Sequence, residues 1–285
     1  MDPNGKRVPH SFALLGATGN TGRRVLRRLL QDTATSRSTF NAYVRSRAKI
    51  DGLFPDLSSD NRVTIFHGEL TDEGLIRNCL SGVDTIICTL GENENIPGVR
   101  ILQDCARVVI DVLTSLRAES SIEWDRPRLI LLSSATWNPV FSAPRPALLD
   151  WMIRNAFARP YSDLVRAQNI LLSAPSLVSV VLVQPNALVL ESATGCVIST
   201  DFAHMAVSYE DLADGFVQVA TIPKYRDIGA VGISSKRAAN PILYAPFVMG
   251  KIFRGLLFQF VPGYWQAEYA ISRFLTGLGM KQTAQ

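Results

Sequence analysis

The chain has 285 residues, of which 47% are hydrophobic and 19% are charged, and its formal net charge is +4. These values are those of an ordinary globular protein and exclude a disordered or fibrous chain. Because the charge is small for this length and the basic residues form no run, we expect no nucleic-acid partner.

The two ends of the chain differ from its middle. Residues 1–10 are polar and contain Pro3 and Pro9, so we expect a flexible N-terminus, no secretory signal and a cytoplasmic location. Residues 241–265 are apolar but are interrupted by prolines and charged residues, which argues against a membrane-spanning helix. This segment could instead rest on a membrane surface, pack on a second subunit or cover a ligand.

The first two thirds of the chain alternate between short runs of branched apolar residues and longer helical patterns. Strands are predicted at residues 11–16, 40–44, 63–68, 85–89, 128–133 and 178–184, with helices at 20–31, 71–80, 99–117 and 163–173. This order predicts an α/β fold, a doubly wound parallel sheet of the Rossmann type within residues 11–235. A helix capped by Ser208 and a strand at 228–233 complete it, and residues 236–285 are expected to form a small C-terminal lid or substrate lobe.

A glycine-rich turn joins the first predicted strand to the first predicted helix. Gly16 suits the tight turn, Gly19 lets the backbone approach a pyrophosphate, and Gly22 lets the helix pack closely on the strand. The N–H groups at the start of a helix favour bound anions. The turn therefore predicts a dinucleotide site, with the candidate residues Gly16, Thr18, Gly19, Asn20, Thr21 and Gly22.

The end of the second predicted strand indicates which dinucleotide is bound. NAD calls for a carboxylate there to bind its ribose hydroxyls, whereas this sequence has Arg45 and Arg47. Arginine suits a 2′-phosphate because its guanidinium offers several N–H donors. The sequence therefore predicts NADP(H) as the cofactor. The alternative is that both arginines lie on a solvated loop and bind nothing.

Three further turns lie at the ends of predicted strands, where ligands of open α/β sheets bind. After the third strand, Leu70 is predicted to pack on the adenine, and Asp72 either faces the adenine or caps the next helix. After the fourth strand, Leu90 and Gly91 are expected beside the nicotinamide ribose. After the fifth strand, Ser134 is expected on the other side of the nicotinamide.

The glycine turn, the two arginines, Ser133 and the stretch Tyr209-Glu-Asp-Leu-Ala together resemble the atypical short-chain dehydrogenase/reductase superfamily. The likeness is closest to its NmrA-like and flavin-reductase-like branch. It implies a Rossmann fold, a nicotinamide cofactor and hydride transfer. The serine of the superfamily matches Ser133 or Ser134, and its catalytic tyrosine matches Tyr161.

One position departs from the superfamily pattern. Its members carry a Lys four residues after the Tyr, where this chain has Val165, so the usual proton relay is in doubt. Three alternatives remain open: Arg166 replaces the Lys, Asp163 is the acid or base with Tyr161 nearby, or the hydride acceptor is a flavin or an iminium that needs no protein acid. We favour Asp163, although it would equally well cap the helix predicted to begin there.

The chain is also similar to averufin-oxidase-like proteins of fungal secondary metabolism, in size and in lacking the Tyr–Lys pair. That similarity implies that Arg128, at the start of the fifth strand, and Asp163 serve the substrate. The candidate catalytic residues are therefore Asp163, Tyr161, Ser133 and Arg128. The cysteines and histidines show no metal-ligand spacing, so no metal site is expected.

The leading hypothesis is an NADPH-dependent oxidoreductase that acts on a carbonyl or a conjugated C=C or C=N group. Trp137, Phe141 and Trp151 follow the fifth strand and indicate a hydrophobic small-molecule substrate, unless they are plain core residues. Two alternatives keep the same fold: an NmrA-like sensor of the NADP redox ratio without turnover, and a non-redox isomerase or cyclase. The sequence has no GxSxG motif, which argues against a hydrolase.

Overall fold

The computed structural model describes residues 11–121, 123–237 and 240–277, without the side chains of residues 241–243 and 275–277. The segment 1–10, predicted to be flexible, lies outside these residues. Within them, none of the helices combines the length and the apolar character that crossing a membrane requires.

Ten strands are present in the described residues. They are β1 Ser11–Leu15, β2 Thr39–Val44, β3 Val63–His67, β4 Thr85–Cys88, β5 Arg128–Leu132, β6 Ser179–Val183, β7 Ala187–Val189, β8 Cys196–Ser199, β9 Ala206–Ser208 and β10 Ala230–Ser235. Eight of them form one sheet in the order β3-β2-β1-β4-β5-β6-β10-β8, and β7 pairs with β9 in a second, two-stranded sheet. In the large sheet β8 runs antiparallel to β10 and the other pairs are parallel. This is the predicted doubly wound α/β fold of the Rossmann type.

The strand order reverses next to β1. The chain first runs outward through β2 and β3 and then returns to the opposite side of β1 with β4. The carboxyl ends of β1 and β4 are therefore neighbours, with Leu15 paired with Cys88. In open α/β sheets ligands bind at such a reversal, outside the carboxyl ends of the strands.

Nine helices are present in the described residues. They are α1 Gly22–Gln31, α2 Arg47–Leu53, α3 Glu73–Leu80, α4 Ile101–Glu119, α5 Ala147–Ala156, α6 Ala158–Leu172, α7 Tyr209–Thr221, α8 Pro241–Phe260 and α9 Tyr264–Gly277. Ser208 caps α7 as predicted, because its Oγ accepts from the N–H of Asp211 at 3.0 Å. The prediction that a helix begins at Asp163 is wrong: α6 begins at Ala158, since Pro160 lies in its first turn, where no N–H is required.

The chain divides into two compact units. Within the described residues, the first contains the stretches up to Gly91, Ile101–Pro144 and Leu164–Asn240, and the second contains Glu92–Arg100, Arg145–Asp163 and the stretch from Pro241 onward. The first unit contains both sheets. Its core joins β1, β2 and α1 through buried residues such as Phe12 and Phe40, whose rings stack with centroids 5.6 Å apart.

The three stretches of the second unit meet at Asn95, which is buried. Its Nδ2 donates to the carbonyl oxygens of Asn155 at 3.1 Å and Gly255 at 3.2 Å. Its Oδ1 accepts from the N–H of Arg159 at 2.9 Å. One amide side chain therefore bonds to a residue from each of the other two stretches of this unit.

A buried carboxylate holds the first unit together near its second sheet. Asp211, on α7, accepts from the N–H of Thr194 at 3.1 Å and from the N–H of Gly195 at 2.9 Å. It also accepts from the hydroxyl of Ser235 at 2.5 Å. With the hydroxyl of Thr194, at 3.4 Å, four donors satisfy this charge, which is what burial of a carboxylate requires.

Candidate cofactor and active site

The glycine turn after β1 is built as the sequence predicts. Gly16 has φ +97°, a left-handed conformation that favours glycine. A Cβ on Gly22 would lie 2.1 Å from the carbonyl oxygen of Gly16, so α1 can start this close to the strand only with glycine at that position. Gly19 donates to Gly16 O at 3.0 Å and has room around its Cα.

The turn presents backbone donors at the start of α1. No described residue accepts a hydrogen bond from the N–H groups of Asn20, Thr21 or Gly22. Orphan N–H groups at a helix N-terminus bind anions, and the helix dipole adds to this. The first turn of α1 contains no acidic residue but does contain Arg23, whose pKa is lowered by burial and by neighbouring arginines. This charge arrangement fits a bound pyrophosphate.

Helix α7 fixes the position of this turn. Arg24 Nη1 donates to the carbonyl oxygen of Asn20 at 2.8 Å, and its Nε donates to Glu210 at 2.8 Å. The same guanidinium lies 5.2 Å from the ring centroid of Tyr209, and burial raises the pKa of Tyr209. The sequence analysis singled out the stretch from Tyr209 but missed its contact with the glycine turn, because the contacting residues Arg24 and Glu210 lie 186 residues apart in the chain.

The two arginines after β2 have different surroundings. Arg47 is engaged, because its Nε donates to both carboxylate oxygens of Asp51, at 3.0 and 3.1 Å, and its Nη2 donates to Ser58 at 2.6 Å. Arg45 is exposed, and no hydrogen bond or ion pair joins it to another described residue. Of the two, Arg45 is therefore the one whose guanidinium is available to a ligand.

The turn after β3 settles one alternative. Asp72 caps α3, since its Oδ1 accepts from the N–H of Leu75 at 2.9 Å. The half-buried Leu70 precedes it in the same turn and remains the candidate for contact with an adenine ring.

The turn after β4 lies against the glycine turn. The Oγ1 of Thr89 donates to Leu15 O at 3.3 Å and to Gly16 O at 3.4 Å. A Cβ on Gly16 would lie 3.0 Å from the backbone nitrogen of Leu90. Leu90 and Gly91 follow Thr89 in this turn. They therefore lie at the reversal of strand order, where the sequence predicts the nicotinamide ribose.

Two serines follow β5 and have different roles. Ser134 caps a short 3₁₀ turn, and its Oγ accepts from the N–H of Thr136 at 3.3 Å. Ser133 is buried, and its Oγ accepts from the side-chain amides of Gln168 at 2.5 Å and Gln184 at 3.3 Å. Sequence reading missed both glutamines, because they belong to different elements and no spacing pattern links them to Ser133.

The structure does not bring Arg128 to this end of the sheet. Arg128 begins β5 and Ser133 follows its end, so about 16 Å of strand separates them. The buried guanidinium donates to the carbonyl oxygens of Val219 and Tyr225, beside the end of α7. Burial lowers the pKa of Arg128 to about 10. These contacts indicate that Arg128 stabilises the C-terminal end of α7.

We expect Arg128→Met to lower the free energy of unfolding by about 3 kcal/mol, because two carbonyl oxygens lose a charged donor. Arg126→Met is the control, since Arg126 is exposed and donates to Pro175 O; its effect should stay within about 0.5 kcal/mol. Urea unfolding measures the difference, and NADPH titration should give the wild-type Kd for both variants. A normal stability with lost turnover in Arg128→Met would assign Arg128 to the substrate instead.

The remaining candidates lie on α6. Asp163 is 1% exposed and lies inside the helix, so the alternative that it caps the helix start is wrong. Tyr161 is half-buried, and its ring lies 5.9 Å from that of Phe157. Arg166, the alternative replacement for the missing Lys, is exposed.

The glycine turn, its orphan N–H groups and the adjoining turn after β4 define a protein that binds a nicotinamide dinucleotide on a Rossmann fold. A sequence model described as NAD(P)H-binding matches residues 16–223. The chain belongs to this NAD(P)H-binding family.

The chain is also similar to named fungal oxidoreductases and to a solved structure. The chain is 34% identical over 257 residues to the oxidoreductase stcQ of Emericella nidulans, covering 88% of this chain and 92% of the relative. It is 33% identical over 264 residues to the oxidoreductase aflX of Aspergillus parasiticus, covering 90% and 94%. A short-chain dehydrogenase/reductase (wide type) from Veillonella parvula, solved in complex with NADP, shares the fold with a TM-score of 0.61 and 17% identity, over 80% of this chain and 95% of that one.

Proposed function

We propose that the protein is an NADPH-dependent oxidoreductase that acts on a carbonyl or a conjugated C=C or C=N group of a hydrophobic small molecule in secondary metabolism. The observation that carries this proposal is the glycine turn, in which Gly16 has a φ of +97° and Gly22 leaves no room for a side chain. The N–H groups of residues 20–22 have no acceptor among the described residues. A bound nicotinamide supplies or accepts hydride. The name oxidoreductase, which the relatives carry, supports the reaction class.

The preference for NADPH rests on Arg45. Its guanidinium is exposed at the carboxyl end of β2, where a 2′-phosphate is expected. Arg47 lies two residues further along the chain, but its Nε and Nη2 already donate to Asp51 and Ser58. Arg45 would therefore bind the phosphate, and Arg47 would contribute mainly through its charge.

We expect Arg45→Ala to weaken NADPH binding by about 10-fold to 100-fold and to leave NADH binding almost unchanged, because only NADPH carries the phosphate that a charged hydrogen bond would hold. Arg47→Ala is the matched control and should cost NADPH less than about threefold. Calorimetric titration of each variant with both dinucleotides measures this. Equal losses for NADPH and NADH would remove the assignment of NADP.

An apolar substrate is supported by aromatic residues that do not belong to the core. Trp137 is 46% exposed in the first unit, and Trp151 is 51% exposed in the second, where its ring stacks on Phe260 at 5.8 Å between centroids. Phe141, by contrast, is buried and packs as core. Exposed tryptophans offer flat apolar contact area to a ring system.

Two protein groups would complete the chemistry. Ser133 would bind the reacting group of the substrate, and Asp163, with Tyr161 two residues before it, would give or take the proton. Arg166 is a weaker candidate because it is exposed.

The test is NADPH consumption, followed by absorbance of the reduced nicotinamide, with a panel of aromatic ketones, quinones and imines. Tight NADPH binding with consumption supports the oxidoreductase. Tight binding without consumption of NADPH by any compound would favour the sensor or the non-redox catalyst. Failure to bind either dinucleotide would overturn the proposal.

A further inference from the structure

The orientation of the Gln184 amide beside Ser133 follows from a chain of hydrogen bonds that begins at a backbone group. The N–H of Val140 donates to Asn138 Oδ1 at 3.0 Å, and a backbone N–H can only donate. The other terminal atom of the Asn138 side chain must then be the amide nitrogen, which donates to Gln184 Oε1 at 2.7 Å. The nitrogen of Gln184 is therefore the group that faces Ser133 Oγ, at 3.3 Å.

A second amide donates to the same oxygen. Gln168 Nε2 lies 2.5 Å from Ser133 Oγ. A serine hydroxyl has two acceptor lone pairs and one O–H. Gln168 and Gln184 occupy both lone pairs, so the only hydrogen bond that Ser133 can still form is one that its O–H donates. No described residue accepts from this O–H.

This donor lies where a ligand is expected. Ser133 directly follows β5, whose neighbour β4 ends at the turn that lies against Gly16. It is 7% exposed, so water competes weakly for its O–H. A hydrogen bond of this kind is strong when the acceptor gains negative charge.

We propose that Gln168 and Gln184 are positioning residues that make Ser133 an obligate hydrogen-bond donor, and that the protein therefore selects substrates with a neutral carbonyl, such as an aromatic ketone or a quinone, over cationic acceptors. The proposal rests on the proposed oxidoreductase function. It narrows the substrate from any carbonyl, C=C or C=N group to one whose reacting group carries an oxygen acceptor.

The bond changes explain the selection. A bound NADPH would supply hydride to the carbonyl carbon and would be left as NADP⁺. The C=O π pair would move to oxygen, which would become negative and take one proton from the carboxyl group of Asp163. The hydrogen bond from Ser133 strengthens as that charge grows, so it favours the transition state over the ground state. An iminium nitrogen has no lone pair to accept from Ser133, and its positive charge disappears in the same step.

The test compares Gln168→Glu, Gln168→Met and Ser133→Ala with the wild type. Glu keeps the shape of Gln but offers a carboxylate that accepts from Ser133, so kcat on ketones and quinones should fall about 10²-fold. The NADPH Kd should be unchanged. Ser133→Ala added to Gln168→Glu should cost nothing further, because the two changes remove the same hydrogen bond. Gln218→Met, which removes another amide contact in this unit, to Cys196 Sγ, is the control and should keep wild-type turnover.

A spectroscopic measurement separates loss of the Ser133 hydrogen bond from a general disturbance of the structure. An isotope-labelled aromatic ketone bound to the protein with NADP⁺ should show its C=O stretch at lower wavenumber in the wild type and in Gln218→Met. The shift should be smaller in Gln168→Met and absent in Gln168→Glu and Ser133→Ala.

Three outcomes would overturn the inference while leaving the oxidoreductase intact. They are wild-type turnover in Gln168→Glu, an unshifted C=O stretch in the wild type, and faster turnover of imines than of ketones and quinones. A different result would contradict the proposed function: a shifted C=O stretch without NADPH consumption for any compound. The role of Ser133 as a hydrogen-bond donor would then still be supported.

Discussion

Gly22→Ala should weaken NADPH binding by at least about 10²-fold and also lower the stability of the protein. Its Cβ would lie 2.1 Å from the carbonyl oxygen of Gly16 and 2.6 Å from Thr89 Oγ1, so the turn or helix α1 has to move. Such overpacking costs about 1 to 3 kcal/mol of stability. Displaced N–H groups lose one or two hydrogen bonds to charged oxygens, each about 1.5 to 3 kcal/mol, and each 1.4 kcal/mol is tenfold in Kd.

Gly19→Ala is the matched control for this prediction. Its Cβ would meet only Gly16 O, at 3.4 Å, so the thermal unfolding midpoint should stay close to that of the wild type. NADPH binding should nevertheless weaken about 10-fold, because a methyl group would keep the pyrophosphate from the backbone. Thermal unfolding and calorimetric titration separate the two effects. Wild-type affinity in Gly22→Ala would show that the cofactor binds elsewhere.

Asp163→Asn should lower kcat about 10²-fold, because an amide of the same shape can neither give nor take the proton. Asp163 lies inside α6 and is almost fully buried, so solvent would not replace its carboxylate. The NADPH Kd should be unchanged. Single-turnover kinetics with a saturating ketone measures the effect on the chemical step.

Asp211→Asn is the control for loss of a buried carboxylate. Asp211 accepts from Thr194, Gly195 and Ser235, so its variant should lose about 1.5 to 3 kcal/mol of stability and keep its kcat. If Asp163→Asn behaved in the same way, with turnover kept and stability lost, Asp163 would be structural and the proton would have to come from elsewhere.

The fold could be predicted from local patterns in the sequence. Buried parallel strands such as β5 are continuous apolar runs, and glycine spacing marked the turn before α1. Short elements carry weaker patterns, so α2 and the three-residue strands β7 and β9 were missed. The start of α6 was placed five residues late, and Pro160 lies within its first turn, where a proline is tolerated.

The candidate site was harder to predict than the fold, since side-chain partners depend on tertiary structure. The pairing of Arg47 with Asp51 could have been predicted, because it has the i,i+4 spacing of a helical ion pair. The hydrogen bonds of Gln168 and Gln184 to Ser133 could not have been predicted, because these residues come together only when α6 and β6 fold beside β5. Arg128 was assigned by similarity to other proteins, and its place at the amino end of β5 separates it from Ser133.

The hydrogen bonds of Asn95 limit which segments can be exchanged between related proteins. An unpaired buried amide costs about 1 to 3 kcal/mol, and the partners of Asn95 come from two other stretches, far along the chain. These partners are backbone groups, so exchange of one stretch between relatives would act through their positions: a Cβ at residue 255, for example, would lie 2.2 Å from the carbonyl oxygen of Ala156. We therefore expect chimeras to fold well only when all three stretches come from one parent, so that the second unit evolves as one module although the gene encodes it in three pieces.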